Sequence, residues 1–387
     1  GRVRTAEHLL NLPDTPLQPD PGARRFVAAF CAVWLAALAG GACFCVYVNP
    51  WGNYGTTGYF NLYNDRHAKT QYLESLPHEE LPDFVILGAS GTMRYSPALL
   101  DRLIGKKAFN FGVFWGMPED FLCITKYLAL DRRHKPDALI IGVDTWTFRG
   151  MANKDVLRGV ERRLLNTAKL IRHLPEANGL AIGWIKLQDC FSAQQYEMAA
   201  DVLKDKRIRR MAIPGMVESK CFDGSGMRLT YPDVYGNLNT NIFELVENGQ
   251  YPIAEYLRAR TATGGLAAVS AAGWYRFEKP SARRVEYMRQ LLRFCSEQGI
   301  RVVFVRNPLQ PVFLQYLERD DRHRQNEKVF QEHMDSFQRD YSCVRGFVDA
   351  AALAQQEGDP EGFYDEVHPA TRNCDLVIPS LARLLAP

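Results

Sequence analysis

The chain has 387 residues, with 47 Lys and Arg against 44 Asp and Glu, for a net charge of +3. So even a balance argues against a nucleic-acid surface, and 24% charged with 11% aromatic residues argues against a disordered chain. The length suits two domains, or one α/β domain that carries an insertion.

Residues 1–25 contain Pro13, Pro16, Pro19 and Pro21 and read as a flexible cytoplasmic tail. Phe26 to Val48 then runs for 23 residues without a charge or a proline. As a helix it would span about 34 Å, against a bilayer core of roughly 30 Å. A cleaved signal peptide has a shorter apolar region, of about 7–15 residues. Ala39 to Cys43 is a poor lipoprotein site, because Gly40 stands where Leu is preferred and apolar sequence continues past Cys43. The remaining alternative is a buried helix of a soluble protein. Arg2, Arg4, Arg24 and Arg25 precede the segment, whereas Asn49 to Asp65 contain no Lys or Arg. Tyr47, Trp51 and Tyr54 fall where an interfacial aromatic belt would lie. The positive-inside rule then expects a single-pass anchor (26–48), a cytoplasmic N-terminus and everything after about residue 50 outside.

Residues 49–82 read as a polar and aromatic connector, and 83–387 as an extracytoplasmic domain. Its first element is Phe84-Val85-Ile86-Leu87, an apolar run bounded by Pro82-Asp83 and Gly88, the pattern of a buried strand. Ser96 to Ile104 predicts a helix with Ser96 as N-cap, Pro97 at its first position and Gly105 as terminator. Ala108–Phe114 predicts a second strand, Pro118–Arg133 an amphipathic helix and Ala138–Val143 a third strand. Residues 150–280 break this alternation and read as a helical and loop insertion. Within it, Asp155–Leu174 predicts one helix with a basic face, either lying on a membrane or partner or packed on its own domain. Phe222–Asn241 reads as loop. The alternation resumes with a helix over Ser281–Gln298, a strand over Ile300–Val305, a helix over Val329–Tyr341, a short strand over Val344–Val348 and a final helix over Ala370–Leu385. Buried strands alternating with helices predict an α/β fold, a mostly parallel sheet with helices on both faces.

Of nine cysteines, Cys31, Cys43 and Cys45 lie in the anchor, and Cys123, Cys190, Cys221, Cys295, Cys343 and Cys374 are scattered. None has metal-ligand spacing, so neither a metal nor another cofactor is expected. A Cys190–Cys221 bridge within the insertion and buried thiols are both compatible with this pattern.

Two short motifs carry chemistry. The first strand ends in Gly88-Ala89-Ser90-Gly91, which puts a serine at the carboxyl edge of the sheet between residues small enough to admit a substrate. Far along the chain, Asp365-Glu366-Val367-His368 precedes the last helix. Serine needs a base to take its proton, histidine is that base near neutral pH, and a carboxylate holds the histidine's tautomer. Asp-x-x-His supplies the last two from one loop. Arg94 is either a ligand for an anionic substrate or part of a helix-entry ion pair. His67, His78, His134, His173, His323 and His333 have no partner at motif spacing and read as surface or structural residues.

Together these motifs resemble the SGNH (GDSL-like) hydrolase superfamily, over residues ~83–150 and 281–385. The resemblance implies a flavodoxin-like three-layer fold and a triad of Ser90, His368 and Asp365. It also implies an oxyanion hole from the N–H groups of Ser90 and of Gly112, which follows Asn110-Phe111. The family's third block carries an Asn, where this chain has Asp144-Thr145. An ionised carboxylate cannot donate a hydrogen bond, so Asp144 is read as orienting a neighbour or contacting substrate, with the donor coming from Thr145 or from elsewhere, and Asn110 and Thr145 as further candidate substrate contacts. With a single anchor, the chain is similar to the bacterial cell-envelope proteins of alginate O-acetylation and of teichoic acid D-alanylation. That similarity implies an inner-membrane location, a periplasmic or extracellular catalytic domain and a polytopic membrane-bound O-acyltransferase as partner. It further implies acyl transfer through Ser90 to hydroxyls of a polysaccharide or related envelope polymer. An extracytoplasmic carbohydrate or lipid esterase, and a non-catalytic glycan-binding or scaffolding protein, are the alternatives.

Overall fold

A computed structural model describes residues 20–49, 65–150, 156–204, 246, 253–264 and 271–386. Trp51, Tyr54, Asp155, Cys221, the stretch 222–241 and most of the N-terminal tail lie outside these residues.

Helix α1 (Pro21–Val48) begins where the Asp20 side chain accepts the Gly22 N–H and ends at Asn49, which takes a left-handed conformation. It is the one helix among the described residues long and apolar enough to cross a membrane. Most of its apolar side chains, Phe26, Trp34 and Leu35 among them, are exposed.

The segment expected to be a connector contains helix α2 (Asp65–Ser75), whose Leu73 is fully buried in the main core. Strand β1 (Phe84–Leu87) follows, then α3 (Pro97–Ile104), capped at Ser96 and closed by left-handed Gly105 as its sequence predicts. Strand β2 is shorter than expected, Ala108–Asn110. The chain then stays beside β1 through single bonds from Phe111 N to Ile86 O and Val113 N to Gly88 O. Helix α4 (Pro118–Lys126) does not continue regularly to Arg133; it widens into a π-helical turn over Tyr127–Asp131. Strand β3 covers Ala138–Gly142.

The single helix expected over 155–174 is three short ones, α5 (Val156–Gly159), α6 (Arg162–Leu165) and α7 (Ala168–Ile171). Leu157, Val160, Leu164, Leu170, Ile171 and Leu174 all enter the main core, so the segment packs on its own domain. Burying six such side chains outweighs the hydrogen bonds lost at two breaks, each apolar side chain contributing about 1.5–3 kcal/mol. Helices α8 (Gly179–Asp189), α9 (Ala193–Lys204), α10 (Ile253–Gly264) and α11 (Ala272–Tyr275) complete the described part of the insertion.

Helix α12 (Ala282–Gln298) ends at left-handed Gly299, and β4 covers Arg301–Arg306. A helix not anticipated from the pattern, α13 (Pro311–Arg319), comes next. Helix α14 (Asp321–Asp340) starts eight residues before the expected Val329, because the Asp320 side chain caps it at the His323 N–H. Strand β5 (Val344–Asp349), α15 (Leu353–Gln356) and α16 (Thr371–Leu385) close the chain.

The five strands form one sheet in the order β2-β1-β3-β4-β5, all parallel. Strand periodicity sends alternate side chains to opposite faces. Val85, Leu87, Leu139, Ile141, Val302 and Phe304 meet α4, α12 and α14 on one face. Phe84, Ile86, Ile140, Val303 and Val305 meet α3 and α16 on the other. Because β2 and β3 flank β1 on opposite sides, the connections diverge at the carboxyl ends of β1 and β3, where such sheets open a crevice.

Candidate active site

Ser90 sits in a 3-10 turn immediately after β1, and Asp144 lies just past β3, so both occupy that crevice. The Ser90 turn is clamped by Thr92, whose hydroxyl donates to Ala89 O at 2.6 Å. A Cβ on Gly142 would lie 1.9 Å from Thr92 Cγ2, and one on Gly88 2.2 Å from Thr92 Oγ1. Glycine is therefore required at both positions for the Thr92 side chain to lock the turn.

The 363–369 loop is closed by a bridge between Phe363 and Pro369 and by Tyr364 N donating to His368 O at 2.9 Å. Asp365 Oδ1 accepts the N–H groups of Val367 and His368, each at 2.9 Å. Its other oxygen lies 2.6 Å from His368 Nδ1, and His368 Nε2 lies 2.7 Å from Ser90 Oγ. The carboxylate thus fixes the loop backbone and the imidazole together. With Nδ1 donating to Asp365, Nε2 is the acceptor for the Ser90 hydroxyl, a tautomer assigned from these partners. Burial pushes the Asp365 carboxyl up, but the His368 charge and the three hydrogen bonds outweigh it and hold Asp365 below its ordinary range.

Ser90, Gly91, His368 and Val367 line a cleft of about 360 Å³, its open mouth included, together with Asp144, Phe114, Trp115, Trp146 and Trp274. The three indoles pack edge to face or tilted, with centroids 4.7 to 6.1 Å apart. Trp115 has φ +55°, a conformation that a bulky residue adopts only under constraint, and Arg149 covers its ring at 4.8 Å. No spacing rule links residues 115, 146 and 274, so sequence reasoning did not find this aromatic wall. The positive φ of Trp115 has no local sequence signal either.

No family profile matches the chain, and no curated protein matches it. The site is therefore read from its own geometry.

Asp144 is 5% exposed, and burial pushes its carboxyl up to about 7 because Arg306 and a hydrogen bond from Asn307 only partly offset desolvation. Asn307 Nδ2 donates to Asp144 Oδ2 at 3.2 Å, while Asp144 Oδ1 has no hydrogen-bond partner among the described residues. Asn307 follows β4 and also abuts Gly91, where a Cβ would come within 3.0 Å of its Nδ2. It is a second residue that the sequence did not single out.

Other expected site residues lie elsewhere or are otherwise engaged. The Gly112 N–H donates to Asn110 Oδ1 at 2.8 Å, which takes it from the expected oxyanion role in this arrangement. Asn110 is buried, and its Nδ2 donates to Thr92 O and Tyr95 O at 2.9 and 3.0 Å. Short β2 forces this turn, and α2 buttresses it through Lys69 Nζ, which donates to Asn110 O and Gly112 O at 2.9 and 2.6 Å. Thr145 is buried away from the cleft, donating to Glu327 Oε2 at 2.7 Å beside the Arg306–Glu327 ion pair. Arg94 is buried too, and its guanidinium lies 5.0 Å from the centre of the Tyr364 ring. It links the Ser90 turn to the loop that carries Asp365 and His368.

Proposed function

We propose that this chain is a membrane-anchored serine acyl-transfer enzyme of the SGNH type, acting on hydroxyls of a cell-surface polysaccharide or related envelope polymer. The observation that carries the reading is the unbroken relay Ser90 Oγ–His368 Nε2–Asp365 Oδ2, at 2.7 and 2.6 Å, inside a cleft. The strand order 2-1-3-4-5 is that of flavodoxin-like sheets, with the relay at their ligand-binding crevice. Helix α1, the positive-inside pattern and the family resemblance support the inner membrane, an outward-facing domain and work beside a polytopic membrane-bound O-acyltransferase.

In the first half-reaction Ser90 Oγ attacks the acyl carbonyl carbon and passes its proton to His368 Nε2. The carbonyl π electrons move to oxygen, and the tetrahedral intermediate collapses as the C–O bond to the leaving alcohol breaks. His368 returns the proton to that alcohol, leaving acyl-Ser90. A polymer hydroxyl then repeats the sequence in reverse. Because Gly112 N–H is engaged, the developing oxyanion is served by the Ser90 backbone N–H and by Asp144 in its protonated form, whose Oδ1 has no competing partner among the described residues. Burial pushes this carboxyl up to about 7, which favours the protonated form. The tryptophan wall gives the acyl group or a sugar ring an apolar surface.

The test is an activated acyl ester offered to the full-length protein in detergent, followed by mass analysis with an oligosaccharide acceptor. An acylated oligosaccharide is expected. Release of free acid alone makes the protein an esterase, and the absence of any Ser90 adduct with an organophosphonate rules out the nucleophile.

A further inference from the structure

Outside α1, seven large apolar side chains are exposed among the described residues, and four of them lie on α8 or just beyond its end. These are Leu180 (89% exposed), Trp184 (59%), Leu187 (49%) and Phe191 (46%). Their spacing of i, i+4, i+7 and i+11 places them along one side of the helix. The opposite side is apolar as well: Ile185 is buried, and Ala181 and Ile182 pack against the main core. A surface helix of a water-soluble domain carries polar residues outward. This one has an apolar outward row with no charged residue in it.

The position of α8 says what covers the row. Three residues after Asp189, the chain enters α9, which packs on the end of α1. Val48 of α1 and Ala199 of α9 are fully buried together, with Phe44 and Leu203 packed against them. Gly41 lets Tyr196 approach so closely that a Cβ there would lie 2.2 Å from the tyrosine hydroxyl oxygen. The exposed row therefore lies on the helix that leads, through Cys190 to Ser192, into the helix packed on the end of the apolar α1. Trp and Phe are side chains that settle at the boundary of headgroups and acyl chains.

We infer that the Leu180–Trp184–Leu187–Phe191 face of α8 lies in the surface of the same bilayer that α1 crosses, a second contact that fixes the domain's height and tilt. The inference rests on α1 being a membrane anchor and does not depend on the acyl chemistry. The bilayer is favoured over a protein partner because the next helix, α9, packs on α1, which itself exposes apolar side chains along its length.

The full-length chain is reconstituted, with no other protein, in phosphatidylcholine vesicles with or without brominated acyl chains. Tryptophan emission is compared among the wild type, Trp184→Phe and Trp34→Phe. Trp34, on α1, reports the anchor. The difference between wild type and Trp184→Phe, which isolates Trp184, is expected to be blue-shifted and to lose intensity in brominated vesicles. Quenching of Trp34 with an unchanged Trp184 difference overturns the inference and leaves the anchor standing. If neither residue is quenched, the anchor reading fails and the inference with it. Trp184 shielding that appears only when a partner protein is co-reconstituted also overturns it, in favour of a protein interface. The ester and phosphonate assays on Ser90 are unaffected by any of these results, so the two readings fail separately.

Discussion

Asp365 and Asp144 stand at the same edge of the same sheet and line or flank the same cleft, yet their surroundings treat them oppositely. Asp365 keeps 28% of its side chain exposed, accepts two backbone N–H groups and faces His368, and its carboxyl is held below the ordinary range. Asp144 is buried, accepts one side-chain bond, leaves one oxygen without a partner among the described residues and is pushed up to about 7. One site thus holds two carboxyl groups whose charged forms are favoured to opposite degrees, which under the proposed mechanism suits one to stabilise an imidazolium and the other to donate. Environments that push two carboxyl groups apart are how a fold assigns separate roles to the same residue type.

The largest expected effect is at Asp365. Asp365→Asn keeps the size but favours the wrong His368 tautomer, and kcat is expected to fall on the order of 10⁴-fold, as Ser90→Ala should do. A loss under tenfold would mean that the relay is not used. Asp144→Ala should cost about 10²- to 10³-fold, the usual loss of one oxyanion donor. Asp144→Asn, a permanent donor of the same shape, should retain most of the activity. The wild type is expected to lose rate as pH rises through about 7, and Asp144→Asn should abolish that decline. Equal losses in the Ala and Asn variants, or an unchanged alkaline limb, would remove Asp144 from catalysis while leaving the triad untouched. The groups that set this limb are Arg306 on β4, Asp349 on β5 and Glu327 on α14, besides Asn307.

A third carboxylate sharpens the contrast. Asp120 is wholly buried like Asp144, but Arg66 grips it bidentately at 2.6 and 2.9 Å. Removing the cation in Arg66→Met strands a buried charge and should cost about 3–5 kcal/mol of stability, read by denaturant unfolding. The smallest expected effect is on the pH dependence of stability. The folded protein keeps the Asp144 proton, which the unfolded chain releases near its ordinary pKa of 3.8, so this group lowers stability as pH rises from about 4 towards 7. For Asp365 the sign reverses: its contribution is present above the ordinary carboxylate pKa and is lost as pH falls through the depressed folded value. Stability of Asp144→Asn, read from thermal melts, should therefore fall less, or rise more, than that of the wild type between pH 4 and 7. An unchanged slope would place the proton elsewhere.

Much of the frame was readable because it rests on short-range rules. Phe84–Leu87, the Ser96-Pro97 helix start, the Gly105 and Gly299 stops and the apolar α1 all follow from local pattern. The pattern failed where burial overrode periodicity: 156–174 breaks into three helices to seat its leucines, and α2 rises out of an apparent connector because Arg66, Lys69 and Leu73 have partners far along the chain.

The site divides along the same line. Asp365-x-x-His368 is a local motif, since three residues suffice for one carboxylate to hold its own loop and the imidazole. Ser90 at the end of β1 follows from strand order. What the sequence could not assign is which groups meet far along the chain: Thr145 with Glu327, Asn307 between Gly91 and Asp144, and three tryptophans around the serine. The protonation of Asp144 belongs with them. Its residue type predicts an acceptor, and only burial by the rest of the fold, at a desolvation cost that Arg306 does not cancel, turns it into a group able to donate.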